Sequence, residues 1–377
     1  MADGICNVYL NLAQKCNLSC SYCYADGGGF GREERLMGQR TMERALERLV
    51  PDCGSLVVSF FGGEPLLNFA LLRSAVEYGD RLARERGAEL RYALTTNGTV
   101  MSEEILDFLK AHVANVAVSL DGIAAVTDRQ RRFRNGGRSV HDAVVETIGR
   151  LREGGVRFGL RGTVTESAAG EVATTARYLA GLGSEVVRLA PAFSATGWEE
   201  RPFDTLVEAL GELEVDALRQ FAAGAVPVTG EHLFKVVPRV FGGEPRRYPC
   251  SAGREVVAVA ADGGVYPCDH FIGHDAFHMG NVHDMEWPGA RFHAVRRRME
   301  ENDTGRRGSC GRCGVNDICG GECPAQSLLA SGEIRHPSAQ HCALMHRLSE
   351  RLLREIGALT VDPAAERRLR QSFTTAG

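Results

Sequence analysis

Short apolar, β-branched runs alternate with longer amphipathic stretches along the first half of the chain. The runs fall at residues 7–13, 55–61, 90–96, 115–120, 157–165 and 186–191. Between them, 39–50, 68–86, 102–111, 139–154 and 169–182 repeat their apolar positions at helical spacing, as Met42, Ala45, Leu46 and Leu49 do. Thr41, Ser102 and Ser139 stand where helix N-caps are expected, each with an acidic residue close behind. Six strand-then-helix units in series predict an α/β fold, a partial (β/α)6 barrel of the TIM type, with its reactive groups at the C-terminal strand ends.

The pattern changes after residue 200. Residues 203–223 read as one long helix, and 224–249 as a Pro/Gly-punctuated connector. Residues 255–260, then Ala261-Asp262-Gly263-Gly264, then Val265-Tyr266, read as a hairpin that brings Cys250 and Cys268 together at its open end. The stretch to 342 has little helical period. An amphipathic helix (Leu344, Leu348, Leu352, Ile356) follows, and 360–377 read as a polar, frayed tail. The expected division is 1–200 for the barrel, 201–249 for a helical connector, 250–345 for a small cysteine-rich domain and 346–377 for a C-terminal helix and tail.

Chemistry enters at the strand ends. The first run leads into Cys16-x3-Cys20-x2-Cys23, three thiolates on one tight loop, one short of filling a four-iron cluster or a tetrahedral zinc. The second ends in Gly62-Gly63-Glu64-Pro65, the third in Thr95-Thr96-Asn97-Gly98 and the fourth in Ser119-Leu120-Asp121-Gly122. Any one of these is a tight strand-to-helix turn. Four of them behind a cysteine loop point to a ligand site, where Gly lets the backbone come close and Glu64 can hold an ammonium group. Phe241-Gly242-Gly243-Glu244-Pro245 repeats the second signature but reads as a surface turn, because Pro238 just before it argues against a central strand.

Composition narrows the class. The 377 residues carry a net charge of −4 and 44% apolar residues, which favours neither nucleic acid nor a membrane span. Met1-Ala2-Asp3-Gly4 does not begin a secretory signal, so the expected compartment is the reducing cytoplasm. There 12 cysteines point to metal ligands rather than to disulfides. Cys6 and Cys53 fall outside every pattern and read as small buried thiols. Seven cysteines lie in the second half: Cys250, Cys268, Cys310, Cys313, Cys319, Cys323 and Cys342. They can fill one four-ligand cluster and leave a second with three. Structural zinc is the alternative for the Cys310–Cys323 run.

The loop Cys16-x3-Cys20-x2-Cys23, with Tyr22 before its last cysteine, resembles the defining loop of radical S-adenosylmethionine (SAM) enzymes. Gly62-Gly63-Glu64-Pro65 resembles their site for the methionine amino group. Ser119-Leu120-Asp121-Gly122, with Asp128-x2-Arg131 and Gly136-Gly137-Arg138-Ser139, resembles the subclass with a C-terminal SPASM domain. The pattern Cys250…Gly263-x4-Cys268…Cys310-x2-Cys313-x5-Cys319-x3-Cys323…Cys342 is similar to that domain's seven-cysteine signature.

The resemblance implies a [4Fe–4S] cluster on Cys16, Cys20 and Cys23 that binds SAM. It implies that Gly62, Gly63 and Glu64 hold the methionine ammonium, that Asn97, Ser119 and Arg131 meet ribose or carboxylate, and that the backbone at Tyr22 meets adenine. Two auxiliary [4Fe–4S] clusters are implied, one on Cys310, Cys313, Cys319 and Cys342, the other on Cys250, Cys268 and Cys323. The last lacks a fourth cysteine, which leaves an open iron or a non-cysteine ligand such as Asp269 or His270.

The stretch Val265–Gly273 with Phe277–Val282 resembles peptide maturases, and the leading expectation is a thioether cross-link in a ribosomal precursor peptide. Sulfatase-type formylglycine formation, in which Asp269 would be the catalytic base, is the alternative, with carbon–carbon or carbon–oxygen cross-linking a third. A non-catalytic iron–sulfur electron carrier or zinc module is the reading from a different class. A flavodoxin- or ferredoxin-type electron donor is implied. Because the first strand starts by residue 7, leader recognition falls to a separate protein or to a groove on the barrel and the 192–249 connector.

Overall fold

A computed structural model describes residues 4–52, 54–192, 197–225, 227 and 230–374; Cys53 lies outside them. In chain order the elements are β1 (Asn7–Gln14), β2 (Arg35–Leu36), α1 (Gln39–Leu49), β3 (Gly54–Gly62), α2 (Phe69–Arg86), β4 (Ala88–Thr96), α3 (Glu103–His112), β5 (Asn115–Ser119), α4 (Ala124–Gln130) and α5 (Val140–Glu153). There follow β6 (Phe158–Val164), α6 (Val172–Ala180), β7 (Val187–Pro191), α7 (Glu200–Ala223), α8 (Leu233–Val240), β8 (Val256–Val259) and β9 (Val265–Tyr266). The chain ends with α9 (Ala290–Glu300), α10 (Asn316–Cys319), α11 (Pro324–Ser331), α12 (Ala339–Leu359) and α13 (Pro363–Thr374). The expected α/β fold, with strands and helices alternating through the first half, is present.

The chain forms two compact units, residues 1–159 with 251–301, and 160–250 with 302–377. In the first, the strand order is β5-β4-β3-β1-β8-β9. The first five of these strands run parallel, and β9 and the short β2 pair antiparallel with β8 and β1. Val8, Leu10 and Leu12 of β1 and Leu56, Val58 and Phe60 of β3 are fully buried, so both central strands are apolar on the covered face. The β1–β3 register slips between Asn11 and Ala13, where β1 turns into the cysteine loop. The hairpin at 256–266 is as expected, but its first strand also extends the sheet by pairing with β1.

In the second unit β6 and β7 pair in parallel. An apolar cluster joins Leu218 and Phe221 of α7, Leu233, Val236 and Val237 of α8, Leu352 and Ile356 of α12, and Leu369 and Phe373 of α13.

Several local expectations need correction. Ser102 and Ser139 cap α3 and α5, accepting from Ile105 N and Asp142 N, whereas Thr41 lies inside α1, whose N-cap is Gly38. Cys6 is exposed: Ile5 beside it takes the buried position. The connector contains α8, with Pro238 inside the helix, and 241–245 is indeed an exposed turn. Residues 363–374 are a helix rather than a frayed tail. Ala365, Leu369 and Phe373 repeat at i, i+4 and i+8, a stripe that burial stabilises despite a polar average. Helix α9 was also hidden by polarity, for only Phe292, Val295 and Met299 of its 11 residues are buried.

Candidate functional site

The cysteine loop is held by backbone close approach. Gly63 N donates to Ala13 O (2.7 Å) and Glu64 N to Lys15 O (2.9 Å). A Cβ on Gly62 would lie 2.4 Å from Ala13 O, and one on Gly63 would lie 2.4 Å from Lys15 O. Gly62 has φ +146°, a conformation that side chains disfavour. The paired glycines therefore bring the end of β3 hard against the cysteine loop, and that contact carries Glu64 beneath it.

Glu64 is fully buried. Its carboxylate accepts from Asn97 N (2.7 Å), Thr96 Oγ1 (2.8 Å) and Leu66 N (3.0 Å), all neutral donors. Burial pushes its pKa up to about 7 against those hydrogen bonds. A buried carboxylate with no cation among the described residues suits an incoming ammonium.

Cys16, Cys20 and Cys23 lie close enough for their charges to act on one another. Cys16 Sγ accepts from Leu18 N (3.4 Å) and Asn97 Nδ2 (3.6 Å), and Cys23 Sγ from Gly27 N (3.3 Å). Burial raises the Cys16 thiol and pushes Cys20 up to about 12. The donors are all sulfur with no imidazole or carboxylate among them, which suits an iron–sulfur cluster with a vacant iron.

Asn97 also binds Asn17 Oδ1 (2.8 Å) and accepts from Thr99, so it braces the loop. Ser119 ends β5, half-buried. Arg131 forms a two-pronged ion pair with buried Asp121, at 2.9 and 3.0 Å. Tyr22 Oη (2.7 Å) and Gln130 Nε2 (2.9 Å) donate to the same carboxylate. The Arg131 guanidinium lies 5.5 Å from the Tyr22 ring centre, with its charge acting on Cys20. Asp121 thus fixes both Arg131 and Tyr22 beside the loop.

Sequence reasoning missed Tyr24, although it directly follows Cys23. Its hydroxyl donates a short hydrogen bond to Asp269 Oδ2, and its ring stacks on His270 with centres 3.9 Å apart. Asp269 also pairs with His270 Nδ1 (3.1 Å). Burial pushes the Asp269 carboxyl up, but His270 and Tyr24 outweigh it and hold the carboxyl below its usual range. The ligand-capable atoms of Cys268, Asp269 and His270 lie within 4.8 Å of one another. Asn11 was missed too: it is buried on β1 with Oδ1 and Nδ2 unpartnered among the described residues.

In the second unit, the Cys342 thiol is pushed up to about 11, first by burial and then by the charges of Cys319, Cys310, Glu322 and Cys313. Cys310, Cys313 and Cys319 therefore lie near enough to Cys342 for their charges to act on it. Cys250 and Cys323 line a cavity of about 250 Å3 with Cys319, His341 and Arg246.

The profile of the radical SAM superfamily matches residues 10–167, and that of an iron–sulfur cluster-binding domain, SPASM, matches 250–314. The chain is a radical SAM enzyme with a SPASM domain.

Among its relatives, an uncharacterized Methanocaldococcus jannaschii protein is 30% identical over 48% of this chain, which spans 61% of that protein's length. A serine-type anaerobic sulfatase-maturating enzyme of Klebsiella aerogenes is 26% identical over 85% of this chain and 79% of its own. An AdoMet-dependent heme synthase of Nitratidesulfovibrio vulgaris is 24% identical over 85% and 88%. In fold, this enzyme is similar to native anSMEcpe with bound AdoMet and Kp18Cys peptide, at TM-score 0.77 and 18% identity over 94% of this chain and 99% of that one. It is also similar to Streptococcus suis SuiB bound to precursor peptide SuiA, at 0.61 and 16% over 90% and 76%.

Proposed function

We propose that this enzyme is a peptide maturase that joins a Cys sulfur to a carbon atom within a ribosomal precursor peptide. One observation carries the reading. Tyr24, next to Cys23, is hydrogen-bonded to Asp269 and stacked on His270, next to Cys268. The SAM-binding loop and the Cys268 loop are thus latched together, and a substrate held between them meets both.

Cys16, Cys20 and Cys23 would hold a [4Fe–4S] cluster that binds SAM, and the pair would supply the radical chemistry that removes a substrate hydrogen. Glu64 holds the methionine ammonium in the cradle that Gly62 and Gly63 leave open. Asn97, Ser119 and Arg131 meet ribose or carboxylate, and the Tyr22 backbone meets adenine. Asp269 receives the proton of the substrate thiol. Cys310, Cys313, Cys319 and Cys342 would hold an auxiliary cluster within the second unit. Forming the C–S bond removes two hydrogens from the peptide. One leaves as an atom and the other as a proton with one electron, which balances the electron that an external flavodoxin- or ferredoxin-type donor supplies to cleave SAM.

A second reading, formylglycine formation, is favoured by the buried Asp269 carboxylate and by the sulfatase-maturating relative. Mass spectrometry of a candidate precursor after anaerobic reaction with SAM and reductant separates the two. A product lighter by two hydrogens with one alkylatable thiol lost is expected. An unchanged thiol count refutes the thioether, and a hydrazine-reactive aldehyde selects the second reading.

A further inference from the structure

Arg307 is 4% exposed, and no carboxylate is paired with it among the described residues. Its Nη2 donates to Asn302 O (2.9 Å) and to Asn302 Oδ1, which anchors one corner of the guanidinium. Its Nε and Nη1 are buried with no hydrogen-bond partner. An uncompensated buried charge is costly, so a guanidinium with two idle donors needs an anion in front of it. The groups whose charges act most favourably on Arg307 are the thiolates of Cys310 and Cys319. The side chain therefore faces these sulfurs, within hydrogen-bonding reach of Cys310 and with the like charge of Arg335 acting against it.

Two more donors reach the same sulfurs from α12. His346 Nε2 lies 3.2 Å from Cys313 Sγ, and His341 Nε2 lies 3.5 Å from Cys319 Sγ. A metal-bound thiolate can only accept a hydrogen bond, so each imidazole must present Nε2–H there. Arg246, whose Nε is also unpartnered, and Lys235 act on Cys319 from α8 and the loop after it. Glu322 acts the other way on Cys342, but its carboxylate is occupied by Ser327 Oγ, Ser338 Oγ and Ser338 N at 2.7–3.0 Å.

The N-terminal loop is built differently. Its sulfurs receive neutral N–H groups from Leu18, Gly27 and Asn97. Its nearby cation, Arg131, is neutralised by Asp121. Hydrogen bonds and positive charge around iron–sulfur ligands stabilise the reduced, more negative state and raise the reduction potential.

We propose that Arg307, His346 and His341 are positioning residues that raise the reduction potential of the auxiliary cluster on Cys310, Cys313, Cys319 and Cys342. The inference rests on that cluster assignment. Raising the potential makes this site the downhill destination for the single electron that the substrate gives up.

The test is a potentiometric titration of the reconstituted full-length enzyme, followed by electron paramagnetic resonance, with iron and sulfide measured on each sample. Arg307→Gln is expected to move the midpoint of one cluster to lower potential. Arg307→Lys recovers part of that shift. His346→Ala, at an exposed position that leaves the fold intact, gives a smaller shift of the same sign. The midpoint of the SAM-responsive cluster stays where it is. Unchanged midpoints in Arg307→Gln and His346→Ala, with iron content equal to the parent, overturn the inference. Cys342→Ala guards the assignment itself: if it retains the parent's iron and sulfide, no cluster occupies this site and the underlying reading falls instead.

Discussion

Replacing Glu64 with Gln removes a buried charge while keeping the shape of the side chain. The carboxyl ionises near 4.5 in an unfolded chain and at about 7 in the fold, because burial disfavours the anion more than three hydrogen bonds favour it. A carboxyl raised in this way makes its full contribution to stability below pH 4.5, and loses it as pH rises to about 7. Between pH 6 and 8 the parent therefore loses ~1.4 kcal/mol through this group alone, at ~1.4 kcal/mol per pH unit over the remaining span. The amide that replaces the carboxyl in Glu64→Gln cannot ionise and is spared that loss. It has its own cost, because one amide NH2 must face either Asn97 N–H or the donors at Leu66 and Thr96, about 1–3 kcal/mol.

The stability gap between parent and variant should accordingly narrow by ~1.4 kcal/mol from pH 6 to pH 8, measured by denaturant titration without SAM. SAM acts in the opposite direction and favours the parent. An ammonium beside the ionised carboxylate forms a charged hydrogen bond of about 1.5–3 kcal/mol, so Glu64→Gln should bind SAM roughly 10–100-fold more weakly at pH 8. The deficit should shrink at pH 6, where the parent's carboxyl is largely protonated. Calorimetry on the unreduced enzyme measures this without SAM cleavage. A stability gap that does not change with pH, or equal SAM affinity in the two proteins, would refute the assignment of Glu64.

Asp121→Asn leaves the buried Arg131 without its ion pair and should destabilise the enzyme by about 3–5 kcal/mol in denaturant titrations, and Asp121→Leu combined with Arg131→Met should recover much of it; a loss below ~1 kcal/mol for the single variant would mean that the network does not hold the Tyr22 side of the loop. Leu369→Ala opens a cavity among Phe221, Leu233 and Phe373 and should cost about 2–5 kcal/mol, read from the same titration, whereas a frayed C-terminus would register nothing.

The parts of this enzyme legible in its sequence are those whose physics is local. Alternation and helical period placed the strands of the first half to within a residue or two, and Ser102 and Ser139 announced the helices they cap. Cysteine spacing marked the N-terminal loop, because three thiolates within eight residues can converge on one metal centre. Features that depend on the third dimension stayed hidden. Thr41 looked like a cap, but α1 begins before it. The tail looked polar and frayed, because its apolar stripe holds only Ala365, Leu369 and Phe373.

The same limit governs the site. Asp121 appeared as one letter of a strand-end turn, yet it organises Arg131 and Tyr22 together. Tyr24 carried no signal beyond its place after Cys23, since its partner lies 245 residues further on. Arg307 is one arginine among many in the sequence, and only its burial beside Cys310 sets it apart. Spacing therefore shows which sulfurs can bind iron, whereas the charges and donors that face those sulfurs decide what each iron site does. Two sets of thiolates with the same donor chemistry can serve opposite ends of an electron's path when one is met by neutral amides and the other by an unpaired guanidinium and two imidazoles. On the proposal made above, that difference in surroundings separates a site that spends an electron from one that receives it.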